Sequence, residues 1–313
     1  TLTPDPSPTR ERGDALYLDC TDHVEAVEGV LSVAPPDVTT YPLRLASPLA
    51  VFFAAFFAAP LVALLALSLR GADGGYGLSQ YAAFLGDGFS LGVLLGTLWL
   101  GLKVTAACLV LGLPLALVAT RAGGWVRGVI ILAVLTPLLT SVVIRTFAWI
   151  VILGRQGVLN SLLSSLGLIE TPLRLLYAEG GLVAALAQVQ MPLMVLPLMT
   201  ALARIDPSLW DASEALGAGR WRTFLRVTLP LCLPGLIAGS VLTFAAAISG
   251  FITQSLIGGG QMLFMPGYIY QQAIALQNWP FAAAMSVIFL IAVLAVVLAF
   301  NALGRLARGY AQT

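Results

Sequence analysis

Six stretches of this chain stay apolar for about 20 residues or more, the length a helix needs to cross the hydrocarbon of a bilayer. They are residues 48–69, 91–119, 126–153, 181–203, 231–257 and 281–303. Lipid offers backbone N–H and C=O groups no partners, so runs of this kind must wind into helices. The whole chain is 59% hydrophobic and 10% charged, against about 25% charged in an ordinary soluble domain. The fold class expected is therefore all-α and membrane-embedded, with six transmembrane helices. Pro114, Pro137, Pro192 and Pro197 lie inside the runs. Each removes a backbone donor, so kinked or broken helices are expected, above all at "TPLLTS", residues 136–141.

Residues 1–46 have a different character. They are rich in proline and acids and hold too little apolar surface to repay ordering. They read as a polar, disordered tail without the features of a signal peptide, ahead of a membrane domain at 47–313. Cys20, Cys108 and Cys232 lie far apart, which reads as small packing residues and not a disulfide framework. His23 is the single histidine and lies in the tail, so no histidine metal site is expected. A net charge of +1 leaves no basic footprint for nucleic acid.

Arginine placement sets the expected orientation. With the N-terminus in the cytoplasm, Arg44, Arg121, Arg127, Arg204, Arg220, Arg222, Arg226, Arg305 and Arg308 all lie inside. Only Arg70, Arg155 and Arg174 lie outside. Both termini are thus expected in the cytoplasm, and so is the segment between the fourth and fifth runs.

That segment is the most charged part of the membrane domain. From Arg204 to Pro230 the chain leaves the lipid for too long to be a plain connector. Asp206 suits an N-cap and Pro207 the first helical position, and Gly217 suits the left-handed residue that ends a helix. A short helix over 207–216 is expected, then a second over 220–227 leading to Pro230. Ala212 and Ser213 are small enough to let another protein approach closely.

The string "DASEALGAGRWRTFLRVTLP", residues 211–230, resembles the EAA loop of importer-type ABC transporter permeases. Its acid-small-small triplet is Asp211-Ala212-Ser213, its glycine is Gly217 and its closing Leu-Pro ends at Pro230. Aspartate stands where the family has glutamate, and Asp211 and Glu214 both qualify for the acid's contact. Two further stretches, "TPLLTSVVIRTFAWIVILGRQGVLNSLL" and "IYQQAIALQNWPFAAAMSVIFL", are similar to the spermidine/putrescine branch. The resemblance implies a coupling helix in which Asp206, Asp211, Ala212, Ser213, Glu214, Gly217, Arg220 and Pro230 meet an ATPase. It also implies a pair of ATP-binding-cassette ATPase subunits, a second permease (identical or not) and a periplasmic solute-binding protein. The place implied is the bacterial inner membrane, and the cycle is alternating access. Polyamine-like cargo is favoured, with a phosphonate, an opine or an iron complex as alternatives. No G-x-x-x-x-G-K-[ST] occurs, so this chain is expected to be no enzyme and to bind no cofactor; ATP and magnesium belong to the partners.

Polar groups inside the runs are candidates for the solute path. They are Arg145, Trp149, Gln188, Gln190 and Gln254, and with them Tyr268 and Gln271 from the segment between the last two runs. Lys103 also lies within a run, and no acid does. An ammonium can be held by ring faces without a carboxylate, but a polycation finds no anionic partner here, so tight binding is expected in the separate binding protein. An ion-gradient transporter is the rival reading. It usually carries intramembrane acids, which these runs lack. A membrane enzyme is remote, because no cluster of His, Asp and Glu lies in the runs.

Overall fold

In the computed structural model, residues 43–71 and 75–309 are described; the expectation for the polar tail falls almost wholly outside them. The described residues are helical, with no strand longer than an isolated bridge between Arg70 and Tyr76. The chain divides into two compact units, residues 1–62 and 63–313.

The first unit holds α1 (Leu43–Phe53), which begins ahead of the expected domain start, and a π turn at Ala54–Ala58. This helix continues as α2 (Ala59–Ser68). The π turn has a cause. Pro60 brings no N–H, and just before it Ala59 donates to the carbonyl of Ala54, five residues back. The exposed rings of Phe52, Phe53, Phe56 and Phe57 give this helix an apolar surface suited to lipid.

In the second unit, α3 (Ser79–Gly86) leads into α4 (Gly88–Arg121). The Asp87 carboxylate caps α4, accepting from the backbone N–H groups of Phe89 and Ser90 and from the Ser90 hydroxyl. Then come α5 (Gly124–Leu139), α6 (Val142–Leu153), α7 (Val158–Ser165) and α8 (Glu179–Leu202). A surface pair follows, α9 (Ser208–Ala215) and α10 (Arg220–Thr223). A π turn at Phe224–Thr228 joins α10 to α11 (Leu229–Ile248), and α12 (Phe251–Gly258), α13 (Met265–Tyr270) and α14 (Trp279–Gly309) complete the order. Six helices are long and apolar enough to cross a membrane.

α8 is the central post. Leu182, Leu186, Met194 and Leu198 on it are fully buried among residues of α4 and α11 such as Leu100, Val104 and Cys232. α11 reaches α8 through glycine. A Cβ on Gly235 would lie 2.6 Å from the carbonyl oxygen of Pro197, so only glycine lets the two backbones approach this closely.

Two apolar runs are broken, and this changes the span boundaries. The run at 126–153 divides into α5 and α6 because Thr140 and Ser141 are extended. Pro137 sits inside the last turn of α5, three residues ahead of the break. The run at 231–257 likewise stops at Ser249–Gly250, and α12 starts afresh. Conversely, the second surface helix does not end before the membrane: α10, the π turn and α11 form one rod, Arg220–Ile248. The π turn again precedes a proline, as Leu229 donates to the Phe224 carbonyl and Pro230 follows.

Asn160 on α7 ties down the connection from α6 to α8. It is buried, donates to the carbonyls of Gly154 and Leu173 at 3.0 Å each, and accepts from the Leu173 N–H at 2.9 Å. Asn160→Leu leaves the Leu173 N–H unpartnered, while the Gly154 and Leu173 carbonyls keep the N–H groups of Gly157 and Leu175, and a loss of about 1–3 kcal/mol is expected. Thermal unfolding of the variant in detergent measures it.

Candidate functional site

The surface elbow is built from its N-terminal cap inward. The Asp206 carboxylate accepts from the Ser208 N–H at 2.9 Å. That bond, and then the Ser208 hydroxyl, hold its pKa below the ordinary aspartate value of 3.8. The charged form is therefore the one that stabilises the cap. The contribution is complete above pH 3.8 and is lost only as pH falls through the lowered folded value. This cap is expected to give transport no pH dependence between about pH 5 and 8, which an uptake profile of Asp206→Asn against the parent checks.

The other end of α9 closes in a Schellman arrangement. Ala218 N–H donates to the Ser213 carbonyl at 3.0 Å and Gly217 N–H to the Glu214 carbonyl at 2.9 Å. Gly217 has φ +75°, the left-handed conformation this cap needs. Three side-chain contacts then fasten α9 to its surroundings. Ser213 and Thr223 share a hydrogen bond of 2.7 Å, and Trp210 donates to the Thr228 hydroxyl at 3.2 Å. The Arg121 guanidinium, in the last turn of α4, lies 5.0 Å from the Trp210 ring centre. Together these enclose a cleft of about 440 Å³ that also touches Glu214 and Arg220.

The residues expected to meet a partner divide accordingly. Asp211, Ala212, Glu214, Gly217 and Arg220 are exposed, and Pro230 is half-buried in the first turn of α11. Ser213 is 9% exposed and turned toward Thr223; its size lets α9 pack on α10. The apolar tip of the elbow, Leu216 (88% exposed) and Trp221 (72%), was not read from the sequence. Its signal was there: two large apolar side chains in the most polar segment of the membrane domain.

Two of the candidates along the solute path, Arg145 and Gln254, sit at the two helix breaks. Arg145, in the first turn of α6, reaches back across the first break to the Pro137 carbonyl and lies 3.4 Å from the Thr140 hydroxyl. Gln254, in the first turn of α12, reaches back across the second break to the carbonyls of Ala247 and Ile248 at 2.9 and 3.2 Å. Each joint is thus stitched by a side chain from the segment that follows it. The joints touch through Thr146 and Thr253, whose hydroxyl oxygens are 3.3 Å apart. One turn beyond Arg145, Trp149 donates to Gln188 on α8 at 3.3 Å. Gln190 is buried two residues on, about 200° around the helix from Gln188, so the two do not share a face. Tyr268 packs in a separate cluster with Phe84, Val93, Leu94, Met265 and Met285, its hydroxyl 3.1 Å from Ser90. Gln271 is exposed, in a π turn.

Lys103 meets Glu179, the first residue of α8, at 2.6 Å and lies 5.4 Å from the Trp99 ring centre. The sequence separation of the two charges hid this pair. Both side chains are partly exposed, so Lys103→Met is expected to shift stability by no more than about 1 kcal/mol, read by thermal unfolding.

Six helices long and apolar enough to cross a membrane, two helix joints and a capped surface elbow between α8 and the α10–α11 rod are the features of a membrane permease domain. The chain matches the family described as binding-protein-dependent transport system inner membrane component over residues 108–309. It belongs to that family, and so is a multi-pass inner-membrane subunit of an ABC importer. Among curated relatives it is similar to spermidine/putrescine transport system permease protein PotB of Escherichia coli K12, 34% identical over 67% of this chain and 76% of that one. Inner membrane ABC transporter permease protein YdcU of the same strain is 34% identical over 66% of this chain and 70% of its own. The putative 2-aminoethylphosphonate transport system permease protein PhnU of Salmonella typhimurium LT2 is 32% identical over 83% of this chain and 91% of its own. A solved bacterial ABC transporter for alginate import has the same fold, with a TM-score of 0.68 at 20% identity, covering 84% of this chain and 94% of that one.

Proposed function

We propose that this chain is one half of a permease pair that admits a small amine-bearing solute, a polyamine first, to the cytoplasm. Both termini and the elbow face the cytoplasm. Two separate ATPase subunits, which bind ATP and magnesium, seat on the elbows of this chain and its partner permease, and a periplasmic protein delivers the solute. The observation that carries the reading is the elbow: a helix capped at both ends, bonded to the rod behind it, and exposing Asp211, Ala212, Glu214 and Leu216. A loop merely resting on headgroups has no need of two caps and two hydrogen bonds to the rod behind it. Closure of the ATPases draws the elbows together, and the bonded rods carry that motion to the joints. ATP shifts the equilibrium because the ATPase dimer binds the two arrangements with different affinity.

The solute class is supported by two relatives. One is named for spermidine and putrescine and the other for 2-aminoethylphosphonate, and all of these carry a primary ammonium. Proteoliposomes holding this chain with its partner permease and ATPases, supplied with the binding protein, test the reading. ATP-dependent uptake of radiolabelled putrescine is expected. Uptake that follows an ion gradient and ignores ATP overturns it.

A further inference from the structure

Behind the second helix joint lies a cavity of about 280 Å³, walled by Phe251, Gln254, Ser255, Met262, Phe264 and Tyr270 among others. Gln254 is 2% exposed. Its amide cannot be turned over, because the two carbonyls it meets only accept, so its –NH₂ must face Ala247 and Ile248. That leaves Oε1, which is buried and has no donor. Burying an acceptor unpaired is unfavourable, and a ligand N–H would relieve it. On the same wall the rings of Phe251 and Tyr270 stand with centroids 5.2 Å apart, tilted by 36°. Ring faces carry negative potential and attract cations. No charged side chain lines the cavity, so a carboxylate or phosphate would enter without a counter-charge. An ammonium is served by the rings and the carbonyl oxygen, and Met262, Leu263 and Phe264 suit a short alkyl stem.

We propose that this cavity is a subsite for the primary ammonium end of the solute, with Gln254 Oε1 as acceptor and Phe251 and Tyr270 as ring walls. The proposal deepens the function given above and rests on its reading of an amine-bearing solute. At about 30 Å³ per water the cavity has the volume of roughly nine waters, enough to admit an ammonium group together with its alkyl stem.

The test uses the complete transporter in nanodiscs, with Ser255→Cys as a reporter on the exposed wall and Cys20→Ser as background. Cys108 and Cys232 are buried and should react slowly. The rate of labelling by N-ethylmaleimide is followed with butane-1,4-diamine or its neutral counterpart butane-1,4-diol. Near saturation the diamine is expected to slow labelling about five-fold by occupancy, and the diol not at all. Gln254→Met should abolish protection. Because that change also removes the stitch, Phe251→Leu and Tyr270→Leu are measured beside it; each should raise the half-protecting diamine concentration about three-fold. No protection, or equal protection by diol, overturns the subsite. ATP-driven putrescine uptake by the parent is scored separately. Uptake without protection overturns the subsite and leaves the function standing. Amine-selective protection without amine uptake supports the subsite and overturns the solute reading.

Discussion

Gly217→Val is expected to reduce ATP-coupled uptake about tenfold while the chain still inserts and assembles. A side chain in the left-handed conformation costs about 1–2 kcal/mol, and a β-branched one tolerates it worst. At Gly217 the cost is purely conformational: a Cβ there meets nothing within 4 Å. What gives way is the pair of bonds from Gly217 and Ala218 to the Glu214 and Ser213 carbonyls, and with them the geometry that presents Leu216. Gly217→Asn is the control. Asparagine accepts this conformation more readily than other side chains, and most of the uptake should remain. Uptake and ATP hydrolysis in the same vesicles decide it. A valine variant that transports like the parent removes the elbow from the mechanism.

Gly235→Leu is expected to have the largest effect on stability. The first carbon of the new side chain would lie 2.5 Å from the Ala201 methyl and 2.6 Å from the Pro197 carbonyl oxygen. The oxygen is backbone and cannot swing aside, so α11 must move off α8. Overpacking of this sort costs about 1–3 kcal/mol or more, and here it acts on the central post. Gly239→Ala is milder: the sulfur of Met194 at 2.9 Å is the flexible part of a side chain, and the nearest backbone atom, the Met194 carbonyl oxygen, is at 3.1 Å. Unfolding temperatures of the two variants in detergent should rank Gly235→Leu well below Gly239→Ala, and equal values would contradict the packing described.

The helical class was legible because it depends on run length alone, which sequence states outright. The elbow was legible because its caps are local: Asp206 reaches two residues on, and Gly217 answers to bonds within one turn. Breaks were harder. Proline marks weak points but does not say which will open: Pro114, Pro192 and Pro197 sit inside continuous helices, while the chain leaves helix near Pro137. The second joint lies at Ser249–Gly250, with no proline at all. Side-chain partners far apart in sequence were not legible. Nothing in the chain order brings Lys103 to Glu179 or Thr146 to Thr253, and Ser213 reads as a contact for others until Thr223 is seen beside it. Gln188 and Gln190 look alike in a list of polar residues, and only the helix period parts them.

The absence of any loop between α10 and α11 has a mechanical result. The rod Arg220–Ile248 has 29 residues, about 43 Å of helix at 1.5 Å per residue. Trp210 and Ser213 are bolted to its near end, and the hinge that bears Gln254 hangs from its far end. On the proposed coupling, a displacement applied at the base travels the length of the rod to the Ser249–Gly250 joint, where the Gln254 amide ties the following helix to the rod's last carbonyls.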